Sequence, residues 1–183
     1  KINEIFLNSL VSYPNVQEII EHIEILKEKT KAEVILPVHD FFPLCPSYTL
    51  LNEKMEYCGI PQDFKICENC LKNNKNEFKI FEKEENIGNW RKSWNKINDL
   101  SDEIICFSNS SKDIFLKAYP NNDKKIKVIP HDISGRYEKI YSPNIKNDKT
   151  IIGVLGGINE AKGAIIVKNL VSYIDENKIL YLI

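Results

Sequence analysis

Two rhythms alternate along this chain, one recurring every three or four residues and one made of short unbroken apolar runs. The first is clear over residues 16–31, where Val16, Ile19, Ile20, Ile23 and Leu26 share one face of a helix. Asn15 and Glu18 stand at capping-box spacing just before it. The same rhythm returns in Ile87, Trp90, Trp94, Ile97 and Leu100, in Ile114, Phe115 and Ala118 with Ser110 and Asp113 as a capping pair, and from Ile165 through Ile174. The second rhythm predicts strands at residues 5–11, 34–38, 103–107, 126–129, 150–155 and 178–183. Pro37 cannot donate to a strand ladder, but it stands near a strand end, where the loss is tolerable. Strand and helix in regular alternation imply an α/β fold with parallel, Rossmann-like sheets.

Residues 57–76 break the pattern, being rich in Cys, Asn, Lys and Pro, and read as an irregular insertion. Residues 135–149 are polar and read as a linker. Three parts result: a domain over 1–134 with a cysteine-bearing insertion at about 45–76, the linker, and the start of a second domain over 150–183.

The chain has 183 residues and a net charge of -1, so no basic field favours nucleic acid or an anionic membrane. No apolar run is long enough to span a bilayer, and no signal peptide is visible. A chain that begins at Lys1 and ends inside a strand is expected to be a slice of a longer protein. Five cysteines without an export signal suggest a reducing cytoplasm, with metal binding or free thiols rather than disulfides.

Candidate chemistry gathers where strands end. The run 34–38 stops at His39-Asp40, the run 103–107 at Ser108, and the run 126–129 at Pro130-His131. In a parallel sheet these three points share the carboxyl edge, where open α/β sheets bind ligands. His39 can shuttle a proton or hydrogen-bond a sugar hydroxyl or a phosphate. Asp40 can orient it or cap the next turn. A strand-end histidine satisfied by a backbone carbonyl is the plainer reading, and a cap or turn is the plainer one for Ser108 and His131. His22, on the first helix, reads as exposed and structural.

Beyond the linker, Gly156-Gly157 and Lys162-Gly163 lie between a strand and a helix. Small residues there let backbone N–H groups approach a phosphate, and Lys162 adds a point charge. The pattern matches neither G-x-G-x-x-G nor the Walker sequence. Cys45, Cys58, Cys67 and Cys70 are spaced C-x12-C-x8-C-x2-C. Such thiolates can close a structural zinc site, with residues 67–70 as its knuckle. Unliganded reduced thiols are the alternative. Cys106, inside a strand, reads as core.

The succession VHDFFPLCPSYTLL, a cysteine-bearing insertion, EIICFSNSSKDIF, KIKVIPHDI, a linker and TIIGVLGGINEAKGA resembles the family-4 glycosyltransferases of GT-B fold, in particular bacterial ones with an HDFY-x-x-CP stretch. The resemblance implies two Rossmann-like domains, the first binding a glycan or lipid-linked glycan acceptor and the second a nucleotide-sugar. It implies retaining transfer in surface polysaccharide synthesis, with no cofactor required. His39 would lie near the transferred sugar, and Gly156, Gly157, Lys162 and Gly163 would face the donor diphosphate. Gly157-Ile158 stand where the family often carries an arginine, and its glutamate-rich donor motif lies beyond Ile183. The chain would then be a central GT-B fragment, active only in its parent, at work in the cytoplasm or on the inner face of the membrane. The rival expectation is a zinc-stapled α/β interaction module without catalysis.

Overall fold

A computed structural model describes residues 1–74, 86–132 and 150–182. These form two compact units, Lys1–His131 and Asp132–Ile183. The predicted linker and residues 75–76 of the insertion lie outside the described residues.

The first unit runs β1 (Glu4–Phe6), α1 (Val16–Thr30), β2 (Glu33–Pro37), α2 (Phe64–Asn73), α3 (Ile87–Leu100), β3 (Glu103–Cys106), α4 (Asn109–Ala118) and β4 (Ile126–Val128). Its strands are all parallel and stand in the order β1-β2-β3-β4. A monotonic order of this kind is what one half of a doubly wound sheet shows. Right-handed crossovers then put successive connecting helices on the same face, and α1 packs against α3.

The side-chain alternation of the strands sets that face. Val34 and Leu36 on β2, Ile104 and Cys106 on β3, and Ile126 on β4 are buried, while Glu33, Ile35, Glu103, Ile105 and Lys127 point the other way and stay at least partly exposed. The stripe read from the sequence closes over the buried face, with Ile87, Trp90, Trp94 and Ile97 of α3 all buried. Phe42 stands edge-on to Trp90 and Trp94, with ring centroids 4.8 and 6.0 Å away. Both tryptophans are core residues, as their spacing predicts.

Several boundaries differ from the reading of the sequence. The apolar run 5–11 yields only the strand Glu4–Phe6. Leu7 adds one more ladder bond, to the Ile35 carbonyl, and the chain then turns so that Leu7 and Leu10 fill the core. Asn15 precedes α1, but its side chain bonds the Glu18 carboxylate and caps no backbone N–H, so the capping box does not form. The cap of α4 is Ser108, whose hydroxyl accepts the Ser111 N–H at 3.0 Å; the pair Ser110 and Asp113 is not used. The insertion is not wholly irregular, because Asp63 caps α2 inside it by accepting the Lys65 N–H. Pro37 is the last residue of β2.

In the second unit β5 (Thr150–Val154) pairs in parallel with β6 (Lys178–Leu182), from Thr150 against Lys178 to Val154 against Leu182. Between them lie a 3-10 turn, Glu160–Lys162, and α5 (Ala164–Val171). The helix stops short of Ile174, which hydrogen-bonds only within a turn back to Val171. No residue of this unit whose exposure is described is buried. Among the described residues no helix is long and apolar enough to cross a membrane.

Candidate functional site

The carboxyl edge of the four-stranded sheet brings together side chains that are far apart in sequence. His39 follows β2, Phe107 follows β3 and His131 follows β4. The rings of Phe107 and His131 stack at 3.9 Å with 12° between their planes. His39 stands nearly perpendicular to both, with centroids 6.2 Å from Phe107 and 6.5 Å from His131. The strand register causes this meeting. Pro37 pairs with Ile105, and Cys106 pairs with Val128, so the residues just beyond them leave the sheet side by side. His39 and His131 are both exposed, so their ring nitrogens can meet a solute.

Asp40 is held rather than free. Its Oδ2 accepts the Ser9 hydroxyl at 2.7 Å and its Oδ1 accepts the Phe42 N–H at 2.9 Å. Of its two expected roles, the structure shows the turn cap. Ser9 belongs to the segment after β1, so that strand end is tied to the same edge. Ser108 serves as the helix cap described above, and its hydroxyl also lies 2.9 Å from the Ser111 hydroxyl. His22 is exposed on α1, and its Nδ1–H donates to the Glu18 carbonyl at 2.8 Å, as a structural side chain would.

The turn after Asp40 is unusually well anchored. Three consecutive carbonyls accept from buried side chains: Phe42 from Trp90 Nε1 at 2.9 Å, Pro43 from the Tyr119 hydroxyl at 2.6 Å, and Leu44 from Arg91 Nε at 3.1 Å. Burial pushes the Tyr119 hydroxyl pKa well up, which keeps it a donor. The backbone that carries His39-Asp40 is therefore fixed by α3 and by the end of α4. Phe107, Ser9, Tyr119 and Arg91 were not singled out from the sequence, and Trp90 was read there only as core. The position of Phe107, directly after a buried strand, was the available signal.

In the second unit, Gly156 and Gly163 take left-handed φ of 91° and 80°. Gly163 precedes α5 and lets the chain turn into it. Side chains at Gly156 and Gly157 would meet nothing within 4 Å. Gly157 therefore has neither a demanding φ nor a crowded surrounding, and open space lies over its backbone. The N–H groups of Lys162, Gly163 and Ala164 turn back onto Asn159 and Glu160. The amides expected to cradle a phosphate just before the helix are thus already used.

Cys45, Cys58, Cys67 and Cys70 line one cavity of about 360 Å³, together with Leu50 and Leu71. Cys67 and Cys70 stand one turn apart on α2, so helical geometry, not a loop knuckle, sets their spacing. All four are free thiols. Burial pushes the Cys45 thiol up to about 12, and it also raises Cys67 and Cys70. Among the described residues no group of three or more His, Cys, Asp or Glu side chains stands ready-made for a metal ion. Cys106 is fully buried in β3, as read from its strand position, and burial raises its pKa to about 11. No known protein family, curated protein or solved structure matches the chain.

Proposed function

We propose that this chain is part of a retaining glycosyltransferase that moves a sugar from a nucleotide-diphosphate donor to a glycan or lipid-linked glycan acceptor in surface polysaccharide synthesis. The observation that carries the reading is the cluster of His39, Phe107 and His131 at the carboxyl edge of a parallel sheet. Exposed imidazoles beside an aromatic face suit a sugar, whose hydroxyls hydrogen-bond and whose C–H faces lie on rings. The parallel β5-α5-β6 unit, with open space over Gly156 and Gly157, supports a donor-side role for the second unit.

In the transfer, the bond between the sugar's anomeric carbon and the diphosphate oxygen breaks, and a bond to the acceptor oxygen forms. The acceptor proton leaves with the nucleotide diphosphate, whose charge rises as the bond breaks. Lys162 supplies a positive charge for it, which is electrostatic stabilisation by a pre-placed group. His39 hydrogen-bonds the transferred sugar. No cofactor is needed for this chemistry, and the protein would act in the cytoplasm or at the inner face of the membrane.

The test is release of nucleotide diphosphate by the full-length protein from a panel of nucleotide-sugars with acceptor present. His39→Ala is expected to lower turnover about a hundredfold or more, the size expected for one positioned polar group. Unchanged turnover in that variant would remove His39 from the site. A second reading, an interaction module built around the cysteine cavity without catalysis, is favoured if the full-length protein binds no nucleotide-sugar but holds zinc.

A further inference from the structure

Arg91 is a buried cation in α3, only 8% exposed. Its Nε donates to the Leu44 carbonyl, next to Cys45, and its guanidinium lies 5.4 Å over the ring of Phe64, one turn before Cys67 on α2. Among the described residues no carboxylate pairs with it. A buried charge without an opposite charge is costly, and proteins seldom keep one. What lies beside it is the cavity walled by four thiols.

The geometry points to one Zn²⁺ held by Cys45, Cys58, Cys67 and Cys70, with Arg91 as its buried countercharge. Four thiolates around Zn²⁺ make a dianion, an opposite charge that Arg91 lacks among the described residues. Tetrahedral ligation needs sulfur atoms about 2.3 Å from the metal. Protonated thiols gain nothing by converging that closely, so the ion itself would draw them together from the walls of their shared cavity. The helical pair Cys67 and Cys70 supplies one edge of the tetrahedron, and Cys45 and Cys58 supply the other from the loop.

Among the described residues, the surrounding loop holds three of the five non-glycine residues with left-handed φ. Leu50, Met55 and Ile60 all hold left-handed φ, between 57° and 66°, a conformation that crowds the Cβ of a non-glycine residue against its own backbone. A metal cross-link from Cys45 to Cys58 and on to α2 would hold that backbone in place. The site leaves no open ligand position, so its role is structural and does not depend on the sugar-transfer reading.

The balance is explicit: one Zn²⁺ enters, four S–H bonds break and up to four protons leave. Full-length protein purified without chelator is expected to hold one zinc per chain by elemental analysis. Cobalt substitution should give the intense sulfur-to-metal charge-transfer bands of a tetrahedral thiolate site. Cys58→Ser should weaken zinc at least tenfold in chelator competition, while Cys106→Ala should leave the stoichiometry at one. Arg91→Met should move the pH at which zinc is released upward, because removing the cation favours thiol over thiolate; Arg91→Lys should restore it. Substoichiometric zinc with four native thiols reacting freely, or a Cys67–Cys70 disulfide, would overturn the site. A release midpoint unmoved in Arg91→Met, in protein that still holds zinc, would overturn the role of Arg91.

Discussion

The two units of this protein are built from the same kind of parallel strand-helix-strand repeat, yet they bury very different things. In the first, α3 and α1 close over one face of four strands, and Trp94, Phe115, Ile97 and Ile104 are almost wholly inaccessible. In the second, Leu155, Ile166 and Tyr173 are 79%, 74% and 74% exposed. The difference teaches that strand pairing and core formation are separable. Two parallel strands can satisfy each other's backbone with no apolar face yet covered, whereas stability comes from burial.

The contrast should appear first in large-to-small substitutions. Trp94→Ala, at the centre of the first core, is expected to cost about 3–5 kcal/mol in denaturant unfolding. Ile166→Ala in α5 is expected to change stability by no more than about 0.5 kcal/mol. Equal costs would mean that both units bury their helices alike, and the contrast would fall.

A polar device at the amino edge of the first sheet comes next in size. Asp102 accepts the Val34 N–H at 2.8 Å and pairs with Lys27. Val34 is fully buried, so Asp102→Ala leaves its N–H without that partner, at about 1–3 kcal/mol. Partial burial works to raise the Asp102 pKa, but the Lys27 hydrogen bond, the Val34 N–H and the nearby lysine charges outweigh it and leave the group below its ordinary 3.8. A depressed folded pKa contributes stability that is present above the unfolded value and fades as pH falls through the folded one. The stability gap between wild type and Asp102→Asn should therefore be full near neutrality and close below about pH 3.8. A gap independent of pH in thermal unfolding would show that the carboxylate charge plays no part.

The smallest expected effect separates two glycines of the second unit. Gly163→Ala forces an alanine into φ 80° and should cost about 1 kcal/mol. Gly157→Ala should leave stability unchanged, since nothing lies within 4 Å of the added carbon. On the proposed function it should nevertheless weaken nucleotide-sugar binding by the full-length protein, measured by calorimetry. Wild-type affinity in Gly157→Ala would set this backbone apart from the donor.

Period-reading sufficed where one face of an element is buried. The α3 stripe and the alternation in β2 and β3 are written in residues whose only task is packing. It failed where one residue type has two uses. In α2 only Leu71 is buried, so there is no apolar stripe to read, and attention to Cys67 and Cys70 as ligands hides the helix. Residues 5–11 are apolar because Leu7 and Leu10 enter the core from a loop, so hydrophobicity there says nothing of strand. The carboxyl-edge position of His39, Ser108 and His131 was legible from strand order. The stacking of His131 on Phe107 was not, because it depends on the register between β3 and β4. For Asp40 and Ser108 the cap reading holds: each accepts a local backbone N–H.

The row of side-chain donors on the carbonyls of Phe42, Pro43 and Leu44 has a wider consequence. A surface turn ordinarily opens at little cost, and its amides exchange with solvent quickly. Here the amides of Leu44 and Cys45, both bonded to the Phe41 carbonyl, can open only if tryptophan, tyrosine and arginine contacts from two helices give way as well. Their deuterium uptake should therefore keep pace with the slowest amides of the sheet, and trimming Trp90 to Phe should quicken it beside His39 without any change at the imidazole's own position in the chain.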